Sequence, residues 1–213
     1  GIDSALTSTL CAMTGIQTNV IKIPLKTKDY SLSKLHCDFL LSKYNNIKVF
    51  EVDLSDTFDT FQEACLASDF TNDLGFANSK SRLRMMLLYQ AAASFSGIVV
   101  GTGNKVEDFG VGFFTKYGDG GVDISPIADL TKSEVRSLSK ELDISSDILR
   151  APPTDGLWDD GRTDEQQLGL TYEELEEAMS NENSIYREKY LSIRRKNIHK
   201  MKKIPVCLIK DKS

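Results

Sequence analysis

The chain has 213 residues, a formal net charge of -5 at pH 7, 40% hydrophobic residues and a mean hydropathy of -0.26. That length and balance suit one domain with its own core, and no stretch approaches the roughly 18 apolar residues of a membrane span. The acidic balance argues against nucleic acid, which calls for a basic face, but leaves phosphate binding by a few placed lysines open.

The opening GIDSAL carries neither a charged leader nor an apolar signal region. Cys11, Cys37, Cys65 and Cys207 stand far apart, and the two histidines, His36 and His199, give a zinc site little to build on. The cysteines read as buried thiols in a reducing compartment, and a cytoplasmic location is expected.

Residues 4–13 read as a helix with Ala5, Leu6, Leu10 and Met13 on its apolar side, closed by Gly15. A helix entered through Gly-x-Asp-Ser offers free N–H groups and a dipole to an anion. Asp3 is either its N-cap or a carboxylate holding a metal on a phosphate. Residues 19–25 and 47–54 read as strands, and residues 31–44, 56–67 and 78–95 as helices. A third strand is expected over 96–101. The alternation predicts an α/β fold, a doubly wound parallel sheet with helices on both faces, whose ligands bind beyond the carboxyl ends of the strands. Arg82 and Arg84, near the start of the third helix, oppose its macrodipole, which calls either for an anionic partner or for a surface salt bridge.

Residues 101–132, GTGNKVEDFGVGFFTKYGDGGVDISPIADLTK, follow that third strand. They hold seven of the chain's fourteen glycines. Glycines let backbone pass close to a ligand, and long loops inside compact domains are functional or disordered. Lys105, Glu107, Lys116, Asp119, Asp123 and Lys132 are interleaved as a magnesium-bound polyphosphate demands, with acids for the metal and cations for phosphate oxygens. A solvated surface loop is the other reading. Residues 105–121 are a candidate lid.

Residues 130–142 read as an amphipathic helix with Lys132 in its first turn. The paired prolines of RAPPTDGLW exclude helix, leaving a pocket wall that carries Thr154 or a packed connector. Residues 159–165 read as an acidic loop. Thr171 and Glu174 form a capping box for a helix to about Met179. Residues 184–203 form a basic helix, suited to a polyanion or to a solvated face.

In combination, GIDS, GTGNKVE, GFFTKYGDGG, LTK, PPTDGLW, TDE-x-x-LG and IHKMKKIPV resemble the ammonia-dependent NAD synthetases over nearly the whole chain. These are ATP-pyrophosphatases with an adenine-nucleotide α-hydrolase-like, Rossmann-like fold. GIDS matches the end of the group's pyrophosphate loop. The first strand and the Ser and first Gly of that loop are absent from this sequence, and a fragment or a disordered start is the expected reason.

The resemblance implies a single NAD synthetase domain over residues 1–213 that joins ammonia to deamido-NAD. The nicotinate carboxylate attacks the α-phosphate of ATP, pyrophosphate leaves, and ammonia then displaces AMP. It implies Asp3, Glu107 and Lys132 as catalytic residues, with Asp3 and Glu107 as the Mg2+ ligands in place of the cap reading. Gly1, Ile2, Asp3, Ser4, Thr102, Lys132 and Thr154 are implied for ATP, and Arg82, Lys116, Asp123, His199 and Lys200 for deamido-NAD. Arg84 is left structural. The family's homodimer is expected, with free ammonia as nitrogen source, because no glutamine amidohydrolase domain is visible. The rival readings are another ATP-pyrophosphatase, for guanylate synthesis or tRNA thiolation, and a nucleotide sensor without turnover.

Overall fold

The computed structural model describes residues 1–26, 30–158 and 160–209. Helix α1 (Ile2–Met13) starts two residues before the expected position, with Gly1 as its N-cap. Asp3 therefore lies inside the first turn and does not cap the helix. Gly15, at φ 74, closes the helix as expected.

Strands β1 (Thr18–Lys22) and β2 (Ile47–Glu51) run parallel, paired from Thr18 with Ile47 to Lys22 with Glu51. Helix α2 (Ser31–Lys43) connects them. Successive side chains of a strand face opposite ways. Val20 and Val49 accordingly pack with Ala12 and Leu40 of α1 and α2. Phe50 turns to the other face and meets Phe95, ring centroids 5.4 Å apart. Helices thus cover both faces of a parallel pair, the expected α/β class.

The expected third strand is not formed among the described residues. Only an isolated parallel bridge joins Val100 to Ile124. Along one edge of the segment the Val99 N–H donates to the Asp123 carboxylate at 2.7 Å and the Gly101 N–H to Ile124 O at 2.7 Å.

Helix α3 (Ser55–Leu66) is followed by α4 (Asp73–Ser94), which begins five residues before the expected start. Asn72 caps it, accepting from the Gly75 N–H at 2.8 Å. Arg82 and Arg84 consequently sit well inside the helix, and the macrodipole gives no reason for either.

Beyond the bridge the backbone forms a π-helix (Lys105–Val111), then α5 (Lys132–Glu141), α6 (Ser146–Arg150), α7 (Asp164–Leu168), α8 (Tyr172–Ser180) and α9 (Arg187–Met201). Capping boxes start α5 (Thr131, Glu134), α7 (Thr163, Gln166) and α8 (Thr171, Glu174). Two of these were missed. Helix α6 was unexpected, and α7 occupies part of the supposed acidic loop, whose Asp159 lies outside the described residues.

Two apolar clusters meet at the site. One joins Ile2 and Leu6 of α1 to Ile127, Val135, Ile144 and Ile148. The other joins Val106 and Val111 of the π-helix to Leu168, Leu170, Tyr172, Leu175 and Tyr190. Val106 and Val111 are fully buried, so the π-helical start of the candidate lid is anchored in the core. The thiols are all free, but only Cys37 is buried; Cys11 and Cys65 are half-buried and Cys207 is exposed. Among the described residues no helix is long and apolar enough to cross a membrane.

Candidate active site

The Lys132 ammonium is the centre of the site. It is the first residue of α5, fully buried, with Nζ 2.6 Å from Asp3 Oδ2 and 2.8 Å from Glu107 Oε1. Three distant pieces of chain supply these groups: the first turn of α1, the first turn of the π-helix and the start of α5. Burial works against the Lys132 charge, but the carboxylates of Glu107 and Asp3 outweigh it and hold the ammonium above its ordinary pKa. The cation also lies 4.8 Å from the Tyr172 ring centroid.

Asn104 aligns the pair of acids. Its side-chain oxygen accepts from the N–H groups of Val106 and Glu107, both at 3.0 Å, capping the π-helix. Its amide donates to Asp3 Oδ1 at 3.0 Å. The Tyr172 hydroxyl approaches Glu107 Oε1 at 2.5 Å and Asp164 Oδ2 at 3.3 Å.

Two raised carboxyls flank this centre. Asp164 is pushed up to about 7 by burial first and then by Glu107 and Asp155. Asp108 is pushed up to about 8 by burial first and then by Asp119, Glu107 and Asp3. Asp108 also explains Gly103, since a Cβ at 103 would sit 1.9 Å from Asp108 Oδ2.

The other residues implied for ATP sit at the start of α1, before Asn104 and beside Pro153. At the start of α1 the N–H groups of Ile2, Asp3 and Ser4 have no intrahelical partner, and Ser4 Oγ donates to Gly1 O at 3.0 Å. Thr102 is exposed two residues before Asn104. Thr154 is exposed too, next to Pro153, whose carbonyl accepts from the Asp164 N–H at 3.0 Å. The segment around Thr154 is a tied connector: Lys80 Nζ donates to Leu157 O at 3.0 Å, and Trp158 Nε1 to Gln167 Oε1 at 3.0 Å.

Four of the five residues implied for deamido-NAD meet at the loop after the π-helix. Arg82 Nε donates to Lys116 O at 3.2 Å, and Lys116 Nζ to His199 O at 3.4 Å. Lys200 Nζ donates to Gly112 O at 2.9 Å and Phe114 O at 2.8 Å. Asp123 stands apart from them, its two oxygens taken by the Tyr89 hydroxyl at 3.1 Å and the Val99 N–H at 2.7 Å.

The basic helix is more than a solvated face. Arg187, Lys189, Arg194 and Lys200 donate to backbone carbonyls of Ala178, Gly169, Phe109 and Gly112. Helix α9 thereby ties down the end of the π-helix.

Asn104, Asp108, Asp164 and Tyr172 escaped sequence reasoning as site residues. Asn104 had a readable signal, an Asn at the cap position of the quoted GTGNKVE. Tyr172 sits in the first position of a helix announced by its capping box, but nothing local points its hydroxyl at Glu107.

The family model described as NAD synthase matches residues 1–210. The chain belongs to the NAD synthase family. Within it, the chain is 38% identical to the NH(3)-dependent NAD(+) synthetase of Methanococcoides burtonii, over 84% of this chain and 67% of that protein. It is 32% identical to the Thermoplasma volcanium NH(3)-dependent NAD(+) synthetase, over 99% of this chain and 88% of that one. Among solved structures, the NMN synthetase of Francisella tularensis superposes with a TM-score of 0.88 at 31% identity, covering 98% of this chain and 86% of that one. The NH3-dependent NAD synthetase of Campylobacter jejuni gives 0.73 at 24% identity over the same shares, a likeness of fold.

Proposed function

We propose that the chain joins ammonia to the nicotinate carboxylate of deamido-NAD at the expense of ATP, giving NAD, AMP and pyrophosphate. Membership of the family supports this, and one observation carries it: Asp3 and Glu107 converge on a single cation beside the open N-terminus of α1. A carboxylate is a poor acyl donor because oxide would have to leave. Attack of its oxygen on the α-phosphorus of ATP expels pyrophosphate and leaves an acyl adenylate. Ammonia then adds to the acyl carbon, loses a proton, and AMP departs.

The chain's part is to bind, orient and neutralise charge. The N–H groups at the start of α1 would hold the pyrophosphate. Lys132 would turn from the two acids to the phosphate oxygens, and Thr102 and Thr154 would hold ATP from the exposed rim. Arg82, Lys116, His199 and Lys200 would orient the nicotinate-bearing substrate, with Asp123 at a separate contact.

Asp3 and Glu107 fit a magnesium ion, because two hard oxygens already share one cation. Among the described residues no group of three His, Cys, Asp or Glu is placed to hold a metal, so polyphosphate and water would complete the shell, as Mg2+ prefers. Bound there, the ion would shield the polyphosphate charge and make the α-phosphorus easier to attack. We take residues 1–213 as one catalytic domain, active as a homodimer in the cytoplasm.

A second reading has its own support. The closer superposition on the NMN synthetase, 0.88 against 0.73, favours nicotinate mononucleotide as the acceptor, with the same adenylation and amidation. The deciding experiment supplies ATP, Mg2+ and ammonium with either deamido-NAD or nicotinate mononucleotide, following pyrophosphate and amide product together. Both products with deamido-NAD at the higher kcat/KM bear out the main reading. A preference for the mononucleotide moves the assignment to the second reading. Pyrophosphate without amide points to another acceptor, and ATP binding without either product to a sensor.

A further inference from the structure

Tyr172 has one hydroxyl hydrogen and two carboxyl neighbours, Glu107 Oε1 at 2.5 Å and Asp164 Oδ2 at 3.3 Å. It can donate to only one of them. The shorter contact claims that hydrogen for Glu107. The contact with Asp164 is then a hydrogen bond only if Asp164 supplies the proton. Asp164 is 6% exposed and its Oδ1 is buried without a partner among the described residues. A buried carboxylate with one bare oxygen is costly, whereas a neutral carboxyl is far less so.

We propose that Asp164 is a positioning residue: as a neutral acid it donates to Tyr172, which commits the Tyr172 hydroxyl to Glu107. The chain Asp164 to Tyr172 to Glu107 fixes which Glu107 oxygen is bonded, and leaves the other to face the nucleotide. This rests on the role given above to Glu107. The titratable groups facing Asp164 are Glu107 of the π-helix, Lys132 of α5, Tyr172 of α8 and Asp155 of the proline segment. Burial first, then Glu107 and Asp155, raise its carboxyl, while Lys132 and Tyr172 oppose them, in keeping with a proton held near neutral pH. The side chain is placed for this by its own backbone. Its N–H bonds Pro153 O at 3.0 Å, and Thr163 caps the short helix that it opens.

The test compares Asp164→Ala, Asp164→Asn and Tyr172→Phe in the full chain. An Asn amide can donate to the Tyr172 oxygen without carrying a charge. Asp164→Ala and Tyr172→Phe should each lower kcat about 10- to 100-fold, the usual cost of losing a group behind a metal-binding side chain, with KM for ATP changed little. Asp164→Asn should rescue most of that loss. If Asp164→Asn falls as far as Asp164→Ala, the donor role is wrong and a charge is what the site needs. An activity-independent reading comes from the infrared difference spectrum of wild type against Asp164→Asn at neutral pH. The difference should show a protonated-carboxyl carbonyl stretch lost from wild type on going to the variant, whatever band Asp108 gives to both, and no lost band overturns the proposal. Wild type that shows the band but makes no amide product would instead count against the function proposed above. Because the spectrum needs no turnover, it also decides the case where Asp164→Ala does not fold.

Discussion

Asn104 donates a 3.0 Å hydrogen bond to Asp3 across 101 residues of sequence, with its own side-chain oxygen capping the π-helix that carries Glu107. One fully buried amide thus sets the distance between the two acids of the site. Asn104→Ala would leave the N–H groups of Val106 and Glu107 without their acceptor in the interior. The loss should be about 2–3 kcal/mol by urea unfolding, a lost cap plus an unsatisfied buried donor. Asn104→Asp keeps the acceptor but sets a carboxylate against Asp3, so its deficit should shrink as the pH is lowered through the carboxylate range. A variant as stable as wild type would show that the cap is dispensable.

Lys132 predicts a different response. Lys132→Met leaves the half-buried Asp3 and Glu107 facing each other with no shared cation. Removing one partner of a buried pair costs about 3–5 kcal/mol, so the melting temperature should fall sharply in chelator. Millimolar Mg2+ should restore more of it than it adds to wild type, because the ion would take the place of the ammonium. Equal Mg2+ shifts in both proteins would remove the carboxylate pair as a metal site. Turnover should be lost under both conditions, since the phosphates would lack their cation.

Gly112 and Gly156 separate packing from backbone strain. Both have positive φ, 71 and 63. A Cβ at Gly156 meets nothing within 4 Å, whereas one at Gly112 would lie 2.7 Å from Asn197 Cβ on α9. Gly156→Ala should therefore cost only the left-handed penalty, about 1 kcal/mol. Gly112→Ala should cost that plus the displacement of α9, another 1–3 kcal/mol or about that, and should also raise KM for the nicotinate-bearing substrate through His199 and Lys200. Equal costs in a thermal melt would mean that α9 yields without resistance.

The parts legible in the sequence were those announced by local rules. Parallel β1 and β2, the α2 and α3 helices between and after them, and the Thr171 capping box all follow from spacing and cap chemistry. The family motifs single out Asp3, Glu107 and Lys132, and the fold brings the three side chains together, although nothing in their separations of 104 and 25 residues says so. Errors came where a side chain competed with the backbone. Asp123 takes the Val99 N–H where the third strand is reduced to a bridge. Asn72 moved the start of α4 and so removed the puzzle of Arg82. The π-helix was illegible because its period differs from the 3.6 that a sequence scan seeks. Tyr172 and Asp164 were illegible because their meeting is set by how α7 and α8 pack, not by any spacing.

His36 gives the last prediction, a pH dependence. The ring is buried between α1 and α2, with Nε2 2.9 Å from Ser8 Oγ and Nδ1 without a partner among the described residues. Ser8 Oγ already donates to Ser4 O at 2.8 Å, so it accepts from Nε2–H, and the bare Nδ1 has no group to receive a proton's charge. Burial pushes the imidazole down to about 4, helped by the nearby amino terminus and opposed by the Ala5 backbone. The folded pKa thus lies below the unfolded value. Above pH 6.5 both states are neutral at this site and it contributes no pH slope. As the pH falls from 6.5 toward 4, the unfolded chain takes up a proton that the native state refuses, and stability is lost across that window. The loss should reach about 2–3 kcal/mol by pH 4, from 1.36 kcal/mol per unit. His36→Gln, which can still donate to Ser8, should flatten the slope of urea stability between pH 6.5 and 4. A slope unchanged in the variant would assign the acid sensitivity to the carboxylates alone.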